Sequence, residues 1–320
     1  MLIFSRKNDQ PDEGFDPDRI YKMTKILKGR VAIVTGSGMG IGRAIALHMA
    51  AEGASVVTNN RMPRSSGGDA QSTADEIKAQ GGNSIAYFGD VSDFSQAAAL
   101  VKTAIDYFGR VDILVNNAGA EDKRGNPWEL APEDWERTIR SHLTAPFYCI
   151  RHASGYMKDQ GWGRIVNTTS RAWIETTEQP NYAAAMAGVV GLTRDVARDM
   201  GRFGVTCNAY SPFAKTRRTN IAKQERAYAA GVISKSMYEM YLNVPEPASC
   251  APFVTYLCSE ESANINGLTF GMKPHELFVY SEKAEAFSMR KEDGDWSHEE
   301  LVQKVPANLL VGYVNPAPKK

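Results

Sequence analysis

Short apolar runs alternate along this chain with longer stretches whose apolar residues recur at helical spacing. From Gly29 onward the runs are VAIVT (31–35), ASVVTN (54–59), NSIAYF (83–88), VDILVN (111–116), GRIVNTT (163–169), VTCNAY (205–210) and GLTFGM (267–272). They are continuous and rich in Val and Ile, the pattern of parallel strands buried on both faces. Between them lie GIGRAIALHMAAEG, DFSQAAALVKTAIDYFG and PNYAAAMAGVVGLTRDVARDMGRFG, which close on Gly, a common helix stop. Repeated strand–helix–strand units with right-handed crossovers predict an α/β fold with a doubly wound parallel sheet over residues 29–272.

Three segments fall outside this rhythm. Residues 1–28 are polar and rich in Asp and Pro, as in a surface extension. Residues 212–245 read as a helical insertion beyond the sixth strand, where α/β proteins build lids over ligands. The tail, 273–320, contains DWSHEELVQKV, in which Ser297 and Glu300 have capping-box spacing and Trp296 and Leu301 the spacing of a hydrophobic staple. A short docked helix is expected there, covering the core or an oligomer contact.

Composition narrows the function classes. The 320 residues are 43% hydrophobic and carry 37 basic and 37 acidic side chains, which argues against nucleic acid or an anionic membrane as partner. Cys149, Cys207, Cys250 and Cys258 form no CxxC pair and no metal-ligand spacing, so no metal is expected. They read as small buried hydrophobes in a reducing, cytoplasmic setting. No apolar stretch approaches a membrane span.

The chemistry-bearing residues begin at the first strand, which runs into Thr35-Gly36-Ser37-Gly38-Met39-Gly40-Ile41-Gly42 and then a helix. Glycines permit the tight turn and let backbone N–H groups approach a pyrophosphate at the helix's positive end. The second strand ends Asn59-Asn60-Arg61, with Arg64 close behind. A carboxylate is expected here if it is to bind a free ribose 2′-OH. Asn60 stands in its place, and an amide tolerates a 2′-phosphate that Arg61 or Arg64 would pair with. NAD(P) is therefore the expected cofactor, tilted towards NADP; the alternative is a loop whose arginines point into water.

TGSGMGIG, Gly89-Asp90-Val91 and the NNAG segment Asn116–Gly119, in this order, resemble the short-chain dehydrogenase/reductase family, of Rossmann type, over about residues 29–272. The likeness is nearest to the (3R)-hydroxyacyl-CoA dehydrogenase portion of type 2 multifunctional enzymes. It implies that Asp90 and Val91 flank the adenine and that Asn117, Ala118 and Gly119 support the sheet and contact the cofactor. It further implies a secondary alcohol or ketone substrate, such as a hydroxyacyl-CoA or a steroid-like molecule. Ser170 would bind the substrate oxygen, with Thr169 the weaker candidate, and Tyr182 would move the proton. The expected assembly is a homo-oligomer, dimer or tetramer, or a hetero-oligomer with an active relative.

The same resemblance exposes a gap. The family places a Lys four residues after the Tyr, where it holds the ribose and lowers the Tyr pKa; this chain has Met186. Residues one helical turn apart share a face, which is why a cation there matters. Free tyrosine titrates near 10, so only about one molecule in a thousand is ionised at pH 7. The next cation along that helix, Arg194, lies about 18 Å from Tyr182, and the direction of Arg171, beside Ser170, is open. A non-catalytic subunit or a dinucleotide-binding regulator is the alternative to an enzyme.

His142 stands where the family often has Asn, and reads either as a proton relay or as a packing residue at a helix kink. Beyond Pro212 the family's Gly is replaced by Phe213, and Thr216 would lie near the nicotinamide carboxamide. Lys215, Arg217 and Arg218 either grip a CoA or carboxylate group or simply face solvent.

Overall fold

The computed structural model describes residues 25–63, 68–120, 122–174, 176–216, 221–231, 233–281, 287–291 and 295–312. Strands β1 (Val31–Val34), β2 (Ser55–Asn60), β3 (Asn83–Phe88), β4 (Ile113–Asn116), β5 (Gly163–Thr168), β6 (Val205–Ser211) and β7 (Thr269–Lys273) arise from the seven apolar runs. An eighth, β8 (Glu276–Val279), completes one sheet in the order β3-β2-β1-β4-β5-β6-β7-β8. All neighbours are parallel except β8, which turns back antiparallel on β7. The sheet therefore continues beyond residue 272, where the pattern alone ends it. His275 makes the reversal in a left-handed conformation, φ 59°.

The helices are α1 (Gly40–Ala51), α2 (Ala70–Ala79), α3 (Phe94–Phe108), α4 (Pro132–Ile139), α5 (Ala145–Gln160) and α6 (Pro180–Gly201), then α7 (Ile221–Ala229), α8 (Lys235–Leu242), α9 (Ala251–Tyr256) and α10 (His298–Asn308). Local signals set several boundaries. The Asp93 carboxylate accepts from Gln96 N to start α3, and Gly109, at φ 79°, stops it with its N–H on the Ile105 carbonyl. Two apolar layers sandwich the sheet. One joins Ile33, Leu114 and Ile165 to α3 and α5, and the other joins Val34, Val115 and Val166 to α1 and α9. Strands buried on both faces explain why the runs are continuous rather than alternating.

The strand order reverses direction between β1 and β4, so the carboxyl ends of these strands flank a crevice, the usual ligand position in such sheets. Helices α7 and α8 form the insertion after β6, with Tyr228 stacked on Tyr238 at 4.9 Å between ring centroids. The described residues 25–280 belong to one compact unit, and those from Ser281 onward to another. In the described part of the second unit, α10 carries the capping box of Ser297 and Glu300, and Lys291 Nζ lies 2.7 Å from Glu300 Oε2. Residues 1–24 of the extension predicted over 1–28, and Arg64, Arg217 and Arg218, lie outside the described residues.

Candidate active site

The glycine loop is packed against its own backbone. Gly36 and Gly40 hold φ values of 65° and 58°, which L side chains rarely adopt. A β-carbon on Gly42 would collide with the Gly36 carbonyl and with Nδ2 of Asn117. Thr35 Oγ1 accepts from the N–H groups of Asn117 and Ala118, both at 3.0 Å, while Asn117 Nδ2 donates to the carbonyls of Thr35 and Gly36. The NNAG segment is thereby fastened to the loop. Helix α1 starts there with no side-chain cap at Met39 and no acid in its first turn. Its leading N–H groups need an acceptor, and a pyrophosphate fits that need. Ile41 is the second residue of this helix and packs partly into the core.

At the end of β2, Asn60 serves the protein's own backbone. Its Oδ1 accepts from Ala70 N at 2.7 Å, and its Nδ2 donates to the Met62 carbonyl at 2.7 Å. A carboxylate could make the first bond but not the second. The amide at this position thus has a structural reason that is independent of any 2′-phosphate. Arg61 is exposed beside it. Asp90 Oδ1 accepts from Ser92 N at 2.9 Å, and Val91 turns its side chain into the core layer of α3.

The Ser/Tyr corner is built at the carboxyl end of β5 and the start of α6. Adjacent hydroxyls diverge there. Thr169 is buried and donates to the Met186 carbonyl at 3.1 Å, whereas Ser170 is half-buried, its Oγ accepting from Ala172 N at 3.3 Å. Tyr182 lies on the first turn of α6. The fully buried Asn181 anchors that turn: its Nδ2 donates to Thr138 Oγ1 at 2.8 Å, and its Oδ1 accepts from Tyr182 N at 2.9 Å. Met186 is only 2% exposed and packs with Ala185, Val189, Ile139, Leu143, Trp173 and Tyr182. An apolar cluster thus fills the face of α6 one turn beyond the tyrosine.

His142 lies in a π-helical turn, Arg140–Thr144, inserted between α4 and α5. Such turns often mark functional positions. Its ring meets Tyr182 edge-on, with centroids 5.1 Å apart and planes at 80°. Its Nε2 lies 3.1 Å from the Ala120 carbonyl and 3.0 Å from Oδ1 of the buried Asp122. Close by, Asp134 is paired with Lys123 and Arg137 at 3.2 and 2.6 Å. The Lys123 ammonium, with Arg137, holds its carboxyl below the usual aspartate range.

Beyond β6, Phe213 meets Tyr241 of α8 at 5.9 Å between centroids. Phe213 is not among the residues with positive φ, so the loop does without the glycine conformation. Lys215 is tied to Pro245 through its backbone and lies 3.4 Å from Glu246 Oε1 through its ammonium. Thr216 is half-buried at the last described position of this loop. Asp122 and Asn181 have no signature in the sequence; Asn181 is notable there only as the neighbour of Tyr182. Among the described residues no cluster of His, Cys, Asp or Glu could hold a metal ion, and no helix is long and apolar enough to cross a membrane.

The fold order, the glycine loop and this corner together define a dinucleotide-binding oxidoreductase site. The short chain dehydrogenase family matches residues 30–228, and the chain belongs to that family of oxidoreductases. Two curated relatives are similar to more than half of the chain. The (2S)-[(R)-hydroxy(phenyl)methyl]succinyl-CoA dehydrogenase subunit BbsD of Thauera aromatica is 40% identical over 186 residues, covering 58% of this chain and 73% of that protein. Peroxisomal multifunctional enzyme type 2 of Drosophila melanogaster is 39% identical over 245 residues, covering 75% of this chain but only 38% of that longer protein. A solved short chain dehydrogenase from Mycobacterium avium superposes with a TM-score of 0.75 at 36% identity, covering 92% of this chain and 98% of that one.

Proposed function

We propose that this protein is an NAD(P)-dependent dehydrogenase of a secondary alcohol, or reductase of the matching ketone, carried on an acyl-CoA thioester. The reading is supported by half-buried Ser170 at the end of β5 and half-buried Tyr182 on the first turn of α6, two elements that pack together, and by the uncapped start of α1. Ser170 Oγ holds the substrate oxygen and Tyr182 gives or takes its proton. Thr169 suits the serine's part less well, since its hydroxyl donates to the Met186 carbonyl. When bound, the nicotinamide supplies the hydride acceptor or donor. Gly36 to Gly42 and the first turn of α1 would hold its pyrophosphate, and Asn117 and Ala118 would brace that loop. The CoA assignment rests on the thioester in the name of the Thauera relative. NADP is favoured by the absence of an acid at Asn60 and by exposed Arg61, the structural duty of Asn60 notwithstanding.

Turnover of 3-hydroxyacyl-CoA and 3-oxoacyl-CoA, followed at 340 nm with each cofactor beside direct cofactor-binding titrations, tests the reading. Binding without turnover on any alcohol or ketone overturns it. A second reading, a cofactor-binding subunit that works beside an active relative, is supported by the apolar packing of Met186 and by the word "subunit" in the Thauera protein's name. It predicts that activity appears only when a second chain of the same fold is added.

A further inference from the structure

The adenosine end of such a crevice lies between the glycine loop and the carboxyl end of β2, where a carboxylate recognises a free ribose 2′-OH. Asn60 is no such acid, and its amide is engaged with Ala70 N and the Met62 carbonyl. The bond to Ala70 draws the start of α2 into that corner. Thr73 Oγ1 donates to the buried Ser37 carbonyl at 2.9 Å, so the first turn of α2 is fastened to the glycine loop as well. Asp69 stands between these two ties. A β-carbon on Gly38 would lie 2.8 Å from Asp69 Cα and 2.9 Å from its carbonyl carbon, and one on Gly68 would lie 2.6 Å from the Gly38 carbonyl oxygen. Gly38 is not among the residues with positive φ, so it is glycine to make room for Asp69 rather than to turn the chain. Asp69 itself is half-buried and caps α2, its carboxylate accepting from Ser72 N at 2.8 Å. A carboxylate offers about four acceptor positions, more than a helix cap takes up.

We propose that Asp69 supplies from α2 the carboxylate that β2 lacks, so that the site takes the free ribose 2′-OH of NAD as well as the 2′-phosphate of NADP. This rests on the dinucleotide reading above and extends it. The Asp69 carboxylate accepts from the 2′-hydroxyl in a charge-assisted hydrogen bond. A 2′-phosphate in the same place meets like charge from Asp69 and opposite charge from the exposed Arg61. The preference between the two cofactors is therefore a balance of one repulsive and one attractive residue.

The test measures binding by the full chain, using calorimetry with NAD, NADP, ADP and 2′-deoxy-ADP. Serine caps a helix as well as aspartate does, so Asp69→Ser removes the carboxylate and keeps the start of α2. An unchanged urea midpoint checks that it does. The variant should bind NAD and ADP about tenfold more weakly, as expected for losing a hydrogen bond to a charged group, and NADP more tightly. Its affinity for 2′-deoxy-ADP, which has no hydroxyl to offer, should match that of the native protein. Asp69→Asn, which keeps the shape and drops the charge, should likewise gain NADP. Arg61→Ala should weaken NADP alone. Equal losses of ADP and 2′-deoxy-ADP binding would show a merely structural cap and overturn the assignment. So would an NAD-to-NADP preference that neither Asp69 variant moves. A native protein that binds none of these ligands would overturn the dinucleotide reading itself, and this inference with it.

Discussion

Gly119 and His142 share one space: a β-carbon on Gly119 would lie 2.6 Å from Cε1 of the His142 ring. The last residue of the NNAG segment is thus glycine for the sake of a side chain from a different element, inserted by the π-helical turn. Gly119→Ala forces the ring away from Tyr182 or strains the loop, at a cost of about 1–3 kcal/mol in stability. The expected result is a lower urea midpoint, a shifted His142 ring signal and reduced kcat with cofactor affinity retained.

Met186→Lys is expected to trade stability for rate. The thioether sits in an apolar cluster at 2% exposure. An ammonium placed there without an anionic partner costs on the order of several kcal/mol in the absence of cofactor, or gives up its proton. By lowering the tyrosine pKa by two to three units, it would gain about two decades or more in rate. Steady-state kinetics and urea unfolding on the same preparation measure both effects. A variant as slow as the parent would favour the subunit reading.

Asp134 should make the start of α6 sensitive to acid. Its carboxyl is held below the ordinary range by Lys123 and Arg137, so its contribution is present above the unfolded aspartate value and fades as pH falls through the lower folded value. Its carbonyl also accepts from Thr138 Oγ1 at 2.9 Å, and that hydroxyl in turn accepts from Asn181 beside Tyr182. Urea midpoints of the native protein and Asp134→Asn should differ at neutral pH and converge below the ordinary aspartate range, about pH 3.9. Parallel curves across that range would contradict the pairing.

The four thiols should be silent in the folded protein. All are buried, and burial pushes Cys149 up to about 12 and Cys250 up to about 11, with Cys207 and Cys258 also raised. The thiolate is the reactive form, so Ellman's reagent should label none of them in the native state and all of them on unfolding. Fast native labelling of any one would show that its surroundings open readily.

The seven parallel strands could be read from the sequence because a strand covered on both faces leaves an unbroken apolar run. β8 could not. It is four residues long, follows Pro274, and exposes Leu277 and Val279 by about half, so it carries no run. The glycine loop, Ser170 and Tyr182 were legible because their spacing is local. The Asp122–His142 pairing joins a loop to a π-helical turn 20 residues on and has no such signature. The two backbone groups that the Asn60 amide bonds leave no mark in the sequence, where the residue shows only as a missing acid at the end of β2. The divergence of Thr169 from Ser170, by contrast, follows from the alternation of side chains along an extended chain, and was there to be read.

The hairpin through His275 also bears on self-association. By pairing along β7, β8 occupies the outer hydrogen-bonding margin of the parallel sheet and leaves in its place a strand of four residues, with Glu276 beside Lys273 at 3.3 Å. Short margins resist the strand-by-strand stacking that long ones invite. A chain ending before Glu276 would lose that guard and bare β7, so the shortened protein should aggregate on concentration while the full chain does not.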